Sequence, residues 1–428
     1  MHRCWQITEL REHIFQSVQV PPLYHSVKSC YSRLSRTCRL FSEIALDLLW
    51  ENHEGYCSLL QCLPEGTWEM DETFRIIAAL RPEDWSRVLE YSKRIKCFSD
   101  IDHRDYSPVT LDVSVSEALL CLPAGSLLPN VQNLGCNSEA PLFSQLPLFI
   151  GPHLSKIFLH LGTHVWRFPT SIQIASRSPG VREIRIVEDD REPPLHWASD
   201  FVRQLSQIRR IQTTTSFNDA GWRHISRLPN LAFLVIRGSS QQVFPEANFL
   251  PPRISSESES IFAALRSLGL YQPRAAFAIA LFRSLKNLQL KSLWLGLIDA
   301  TSPSASTTLF QSIASACAHD HLRVLDLTLE DRTHETCSIS GHTLYPLLQF
   351  HCLEHLDLST TRGFVLDAAF IERMAQALPS IKSLSIYSHS QTPSSQHPPI
   401  ASLASIARYC PSLRHMVLDV NATKFEGN

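Results

Sequence analysis

A short tile of alternating apolar residues recurs along most of this chain and constrains its fold more than any single residue does. The tile reads apolar-x-x-apolar-x-apolar, and its clearest copies are residues 322–327 (LRVLDL) and 353–358 (LEHLDL). Ten copies begin at Leu154, Val181, Ile208, Leu231, Leu265, Leu290, Leu322, Leu353, Ile381 and Leu413, and weaker copies begin at Val131 and Ile95. Successive copies start 23 to 36 residues apart. This period indicates stacked solenoid repeats, because one repeat alone cannot bury its apolar face.

The segments between the tiles have the apolar spacing of helices. Phe370, Ile371, Met374 and Leu378 form one such face, and a Pro-Ser pair follows it just before the tile at Ile381. The repeating unit is therefore strand, turn, helix and strand. We predict an α/β fold in which parallel strands line the concave face of the solenoid and helices cover its convex face.

Composition excludes several classes of protein. The formal net charge of −2 gives no electrostatic reason to expect binding to nucleic acid or to an anionic membrane. The chain contains no run of 18 apolar residues, and its first residues lack the apolar stretch of a signal peptide. The 12 cysteines include no Cys-x-x-Cys pair, so we expect reduced core residues. These features predict a soluble protein of the cytoplasm, the nucleus or both.

The first 50 residues do not follow the repeat. Apolar spacing predicts three short helices, the first around Ile14, the second from Val27 to Phe41 and the third ending at Trp50. Three short helices barely close a core, so we expect this segment to give part of its apolar surface to a partner. We predict that residues 51–93 form a helical linker that caps the solenoid.

The solenoid itself is expected to span residues 94–428. The spacing of the tiles gives about 11 or 12 repeats over this range. Two insertions, at 239–260 and 388–399, are rich in serine and proline and have the composition of loops.

The N-terminal segment resembles an F-box. The resemblance rests on residues 7–10 (ITEL), 14–15 (IF), 37–41 (TCRLF) and 48–50 (LLW), although Thr8 stands where the family usually has proline. Downstream, residues 81–85 (RPEDW) followed by Tyr91 and Ile95 are similar to the junction in F-box proteins with leucine-rich repeats, especially those of mushroom-forming fungi. The resemblance covers nearly the whole chain. It is specific at the F-box and generic over the repeats.

This resemblance implies a role without catalysis. In such proteins the F-box helices dock onto the Skp-type adaptor of a cullin–RING ubiquitin ligase, and the repeats hold a target protein. The residues expected to contact the adaptor are Ile7, Leu10, Ile14, Phe15, Leu34, Cys38, Phe41, Leu48, Leu49 and Trp50. Two alternatives stay open at this point. These side chains form only an intramolecular core, or the chain is an interaction scaffold that never joins a cullin.

The sequence contains no recognisable catalytic motif. There is no Gly-x-Ser-x-Gly, no phosphate-binding loop, no Gly-x-Gly-x-x-Gly and no His-Glu-x-x-His. Two clusters could in principle bind a metal, residues 319–321 (HDH) and 351–355 (HCLEH), but both lie where a repeat helix meets its strand. We therefore expect no enzyme activity, no metal and no cofactor.

The residues between the apolar positions of each tile should face the concave side. Aromatic and arginine side chains there are typical of a surface that binds protein. The residues expected to contact an unknown target are Phe158, Arg185, Phe233, Arg237, Tyr271, Trp294 and Tyr387.

Overall fold

A computed structural model describes most of the chain. The described residues are 10, 13–14, 24–100, 109–137, 142–162, 170–188, 197–214, 217–238, 261–299, 303–330, 338–361, 363–389 and 397–421. The insertion at 239–260 and the central part of the one at 388–399 lie outside them. The chain forms two compact units, Met1–Val181 and Arg182–Asn428.

Two helices, α1 (Tyr24–Ser35) and α2 (Arg39–Glu51), follow the apolar spacing of the N-terminal segment. The predicted boundary between them is wrong, because Phe41 belongs to α2 and not to the preceding helix. The reason lies in the serine and threonine hydroxyls at the end of α1. Thr37 Oγ1 donates to the carbonyl of Leu34 (2.8 Å), and Thr37 N donates to the same carbonyl (3.1 Å). This local bonding ends the helix.

The segment 51–93 is not the purely helical linker that the sequence predicts. It contains strand β1 (Asn52–Glu54) and a hairpin of β2 (Trp68–Met70) and β3 (Thr73–Ile76). The hairpin turns at Asp71, whose Oδ1 accepts a hydrogen bond from Thr73 N (2.8 Å). The hydrogen bond to the Asp71 side chain stabilises the turn, and the buried Phe74 fits a strand. Together they outweigh the helix-like spacing of the apolar residues.

The remainder of that segment is helical. It comprises α3 (Cys57–Leu60) and a 3₁₀ turn (Pro82–Trp85) that leads into α4 (Ser86–Ser92). The predicted helix start at residues 81–85 is confirmed, since Arg81 N donates to Asp84 Oδ2 (2.7 Å) at the first turn.

Parallel strands in chain order form the sheet of the first unit. They are β1, β4 (Cys97–Ser99), β6 (Asn133–Asn137) and β7 (Lys156–Leu161). Each strand pairs with the next in register, so that His53, Phe98, Leu134 and Ile157 lie in one row. A short strand, β5 (Thr110–Leu111), joins the hairpin instead, and α5 (Val113–Leu120) follows it.

The sheet of the second unit has the same arrangement. Its nine strands are β8 (Glu183–Glu188), β9 (Arg210–Thr213), β10 (Phe233–Arg237), β11 (Ser267–Tyr271), β12 (Ser292–Leu297), β13 (Val324–Leu329), β15 (His355–Thr360), β17 (Ser383–Ser388) and β18 (His415–Leu418). Two short strands, β14 (Ile339–Ser340) and β16 (Phe364–Val365), pair only with each other. With the four strands of the first unit, thirteen described strands pair in parallel in this way. The α/β class and the parallel strands are thus confirmed.

Helices and 3₁₀ turns occupy the connections between strands. The α-helices are α6 (Thr170–Arg177), α7 (Trp197–Arg203), α8 (Asp219–Ser226), α9 (Ala275–Ser284), α10 (Pro303–Ala316), α11 (Gly341–Leu344), α12 (Ala368–Ala377) and α13 (Leu403–Tyr409). The 3₁₀ turns are Phe143–Leu148, Tyr345–Gln349 and Ile400–Ser402. No described helix is both long enough and apolar enough to cross a lipid bilayer.

A proline turn connects helix to strand in several repeats. Ile381 N donates to the carbonyl of Leu378 (3.2 Å), and Pro379 occupies the second position of the turn, where its fixed φ is favourable. The same hydrogen bond and the same proline precede the tiles at Val181, Leu231 and Leu413.

The tile residues form the core as predicted, with one exception. The first residue of every tile from Leu154 to Ile381 is at most 1 % exposed, and β7, β12 and β13 alternate buried with less buried positions. The exception is the last tile, where Met416 is 41 % exposed. Strand β18 ends the described sheet, and no described repeat follows to cover its apolar side chains.

Candidate functional site

The apolar side chains of the first predicted helix are exposed where the structure describes them. Leu10 and Ile14 are helical, and their exposed fractions are 43 % and 38 %. Ile7 and Phe15 lie outside the described residues. Exposed leucine and isoleucine four residues apart lie on one side of a helix. These two side chains therefore present apolar surface.

Helices α1 and α2 form a small core of their own. Tyr31 is 3 % exposed and Ile44 is 8 % exposed, and the partly buried side chains of Leu34, Phe41, Leu48 and Leu49 pack against them. Cys38 is also partly buried and directly precedes α2. The predicted adaptor-contacting residues on these helices therefore take part in an intramolecular core and keep only part of their surface exposed.

Trp50 is held in an aromatic stack. Its ring stacks with those of His53 and Tyr91, with a centroid distance of 4.8 Å in each case and interplanar angles of 19° and 16°. The end of α2 is thereby fixed between β1 and α4. Sequence reasoning singled out Trp50 as a docking residue and missed both stacking partners, which come together only in the folded unit.

His53 itself occupies an inward position of β1. It lies opposite Phe98 in register, is 8 % exposed, and its Nε2 is 3.0 Å from Ser58 Oγ. Burial, followed by the positive charge of Lys28, lowers the pKa of His53 from 6.5 to about 4. The imidazole is therefore neutral at physiological pH and acts as a core residue.

Ion pairs fasten α2 to the start of the first repeats. Arg94 pairs with Glu43 (2.7 Å) and with Asp47, and Lys96 Nζ pairs with Glu51 Oε1 (2.8 Å). The Arg94 side chain is only 13 % exposed, so this charge is better shielded from solvent than an ordinary surface pair. These contacts hold α2 in a fixed orientation on the strands of the first unit.

The exposed side of the second unit's sheet, here called the outer face, carries most residues predicted to contact a target. Phe233, Tyr271 and Trp294 are half-buried, and Arg237 is exposed, on three adjacent strands. The structure brings these four together. Arg185 on β8 and the half-buried Tyr387 on β17 lie on other strands of the sheet, and the half-buried Phe158 lies on β7 of the first unit.

On the outer face, the rings of Phe233 and Trp294 contact each other, and arginines lie over the rings of Phe233 and Tyr271. The ring centroids of Phe233 and Trp294 are 6.2 Å apart, with an interplanar angle of 54°. Arg210 Cζ lies 3.8 Å from the centre of the Phe233 ring, and Arg237 Cζ lies 5.3 Å from that of Tyr271. The arginines thus cover the aromatic cluster on the side of β9 and β10.

Gly269 on β11 shapes this cluster, and sequence reasoning missed it. A Cβ atom at Gly269 would lie 2.9 Å from Val235 Cγ2 and 3.3 Å from Tyr271 Cε2, and one at Gly296 would lie 3.4 Å from Tyr271 Cδ1. The Tyr271 ring therefore lies directly against the backbone of both glycines, in the space that a side chain would occupy. The signal was present in the sequence, since glycine interrupts a strand mainly where another group approaches closely.

Two aspartates adjoin the aromatic cluster. Trp294, Asp326 and Asp357 lie in one row, each directly opposite the next on β12, β13 and β15. Burial raises the pKa of both carboxyl groups, and the Asp357 charge raises that of Asp326 further. Among the described residues, no lysine, arginine or histidine forms an ion pair with either carboxylate.

The histidines of the two predicted clusters have different surroundings. His319 Nε2 is 2.8 Å from the carbonyl oxygen of Ala314, and its ring is nearly perpendicular to that of Phe350, at a centroid distance of 5.4 Å. His355 is an exposed residue at the start of β15. No group of three or more potential metal ligands occurs in the part of the chain that the structure describes.

Comparison with known proteins leaves the family undetermined. No protein-family model matches the chain, and no curated protein matches it.

Proposed function

We propose that this chain is the substrate-recognition subunit of an SCF-type cullin–RING ubiquitin ligase. The N-terminal helices would bind a Skp-type adaptor, and through it the cullin and RING subunits. The outer face of the repeats would bind a target protein. The site of action would be the cytoplasm or the nucleus, and the chain would need no cofactor.

The observation that carries the proposal is that the first unit combines exposed apolar side chains near its start with contacts that hold α2 on the strands. Leu10 and Ile14 are 43 % and 38 % exposed, while Arg94 and Trp50 hold α2 on the strands that begin the repeats. A docking element attached in this way fixes the orientation of the sheet beside it. Exposed apolar groups around a few anchors are typical of a protein interface.

The mechanism would be proximity. A receptor that is bound to the ligase at one end and to a target at the other raises the effective concentration of target lysines near the charged ubiquitin carrier. The chain would then contribute orientation and would catalyse no step itself.

The test is capture of a purified Skp-type adaptor by the full chain. We expect the wild type to bind and a Leu10→Ala/Ile14→Ala variant to lose about tenfold or more in affinity, as for interface anchors. The matched control is Val113→Ala/Leu120→Ala, since these residues on α5 are 68 % and 72 % exposed in the same unit. Failure of the wild type to bind the adaptor would overturn the proposal.

A second candidate is an interaction scaffold that never joins a cullin. The position of Trp50 favours it, because a ring that stacks with both His53 and Tyr91 has less surface for a partner. Thr8 in place of the usual proline favours it as well. Co-purification of the adaptor without a cullin, and a target whose abundance does not change on deletion of the gene, would support the scaffold.

A further inference from the structure

We infer that the outer face of β10 to β15 binds a segment of the target that presents a lysine or arginine side chain. The aliphatic part of that side chain would lie on the Trp294 ring, and its charge would lie at Asp326 and Asp357. This inference rests on the proposed function, because it names the chemistry of the partner at the target-binding face.

The aromatic side of the site is a low platform. Trp294 and Tyr271 lie on adjacent strands, and the missing side chains of Gly269 and Gly296 allow the tyrosine ring to lie along the sheet. A platform of half-buried rings is open to a partner's side chain from above. Cations bind over such ring faces, tryptophan most strongly.

The acidic side of the site has no cation of its own among the described residues. Asp326 and Asp357 lie directly opposite each other on neighbouring parallel strands, where strands are about 4.8 Å apart. Two like charges in this arrangement destabilise a sheet, and partial burial adds to the cost. Burial raises the pKa of both groups, and the Asp357 charge raises that of Asp326 further. A basic side chain from a partner would relieve both penalties.

The distribution of charge fixes the class of partner. The arginines that contact the aromatic cluster, Arg210 and Arg237, lie on β9 and β10, whereas the aspartates lie on β13 and β15. A basic side chain is therefore repelled at one side of the platform and attracted at the other. An acidic or wholly apolar segment would leave the two carboxylates uncompensated.

The test is selection of phage-displayed random twelve-residue peptides on the full-length chain. We expect enrichment of peptides with a lysine or arginine beside apolar residues. An enriched peptide, synthesised with a fluorophore, should lose about tenfold or more in affinity when its basic residue is replaced by glutamine. The Asp326→Asn/Asp357→Asn variant should lose as much for the original peptide, and Trp294→Leu about threefold.

The matched control is Asp320→Asn/Glu330→Gln. It makes the same change in net charge at two exposed acids beside β13, outside the outer-face row, and should bind the peptide like the wild type. The glutamine peptide tests the inference on the unaltered protein even if a variant fails to fold. No enrichment of basic residues, or equal binding of the glutamine peptide, would overturn the inference.

Adaptor capture on the same preparation separates this inference from the proposed function. Adaptor binding without selection of basic peptides would overturn the inference alone. Selection of basic peptides without adaptor binding would support the inferred site and overturn the ligase role.

Discussion

Substitution of His53 by glutamine should remove a loss of stability that acidification causes around strand β1. Burial holds the pKa of His53 at about 4 in the folded chain, against 6.5 for an unperturbed histidine. Between these two values the unfolded chain binds a proton and the folded chain does not. The contribution of the neutral, buried imidazole is therefore complete above pH 6.5 and is lost as the pH falls toward 4.

The size of this loss of stability follows from the difference between the two pKa values of His53, 6.5 and about 4. A tenfold change in proton affinity corresponds to about 1.4 kcal/mol, so acidification across the interval removes about 3 kcal/mol of stability at this site. Asp100 acts in the opposite sense, because burial raises its pKa to about 7 and it therefore gains a proton in the folded chain first. The pH dependence of stability in the wild type combines the two effects. The difference in stability between the variant and the wild type isolates the contribution of His53.

Hydrogen–deuterium exchange measures this difference locally. The free energy of opening for amides of β1 and α3, followed from pH 7 to pH 4, should fall by about 3 kcal/mol more in the wild type than in His53→Gln. His153→Gln changes an exposed histidine of the same unit and should follow the wild type. Parallel profiles for His53→Gln and the wild type would refute the reasoning, because they would mean that His53 is not buried as a neutral ring.

Three further predictions concern the second unit. Asp326→Asn should raise the free energy of unfolding by about 0.5 kcal/mol, and with it the thermal midpoint, because it removes a like charge opposite Asp357. A lower midpoint would contradict this prediction. Binding of a basic peptide should weaken on acidification while the pH is still above 3.8, the ordinary pKa of aspartate, because burial raises the pKa of both carboxyls; a fluorescence-polarisation titration measures it. Gly341→Ala should cost about 1–3 kcal/mol in denaturant unfolding, since its Cβ would lie 2.8 Å from Phe370 Cγ, whereas Gly125→Ala, with no atom within 4 Å, should be neutral.

The strands were predictable because the residue pattern within each tile is enough to specify a strand, without any distant contact. An alternating pattern both favours a strand and selects the face that is buried, as on β12, where Leu293, Leu295 and Leu297 are inward. Prediction failed where the pattern is ambiguous. Phe74 and Ile77 have the spacing of a helix, whereas Phe74 and Ile76 have the spacing of a strand, and only the turn at Asp71 decides between the two.

Parts of the candidate site were predictable to different degrees. The aromatic residues of the outer face follow from their position in the tile, and alignment of the tiles also places Asp326 and Asp357 at one position, so their pairing was open to deduction. The surroundings of Trp50 were not. They depend on Tyr91, which is distant in sequence, and no local pattern specifies such a contact.

Departures from good sheet design are concentrated on one part of the outer face. Strand centres usually avoid glycine and like charges opposite each other, yet Gly269 interrupts β11 and Asp326 faces Asp357. The inward positions of the same strands are filled with buried leucine and need no such exception. Unfavourable residues confined to one surface patch, above a well-packed interior, are expected when that patch binds a partner. The stability lost in the absence of a target would then be recovered on binding, and Asp326→Asn separates the two states, since it should stabilise the free chain and weaken the complex.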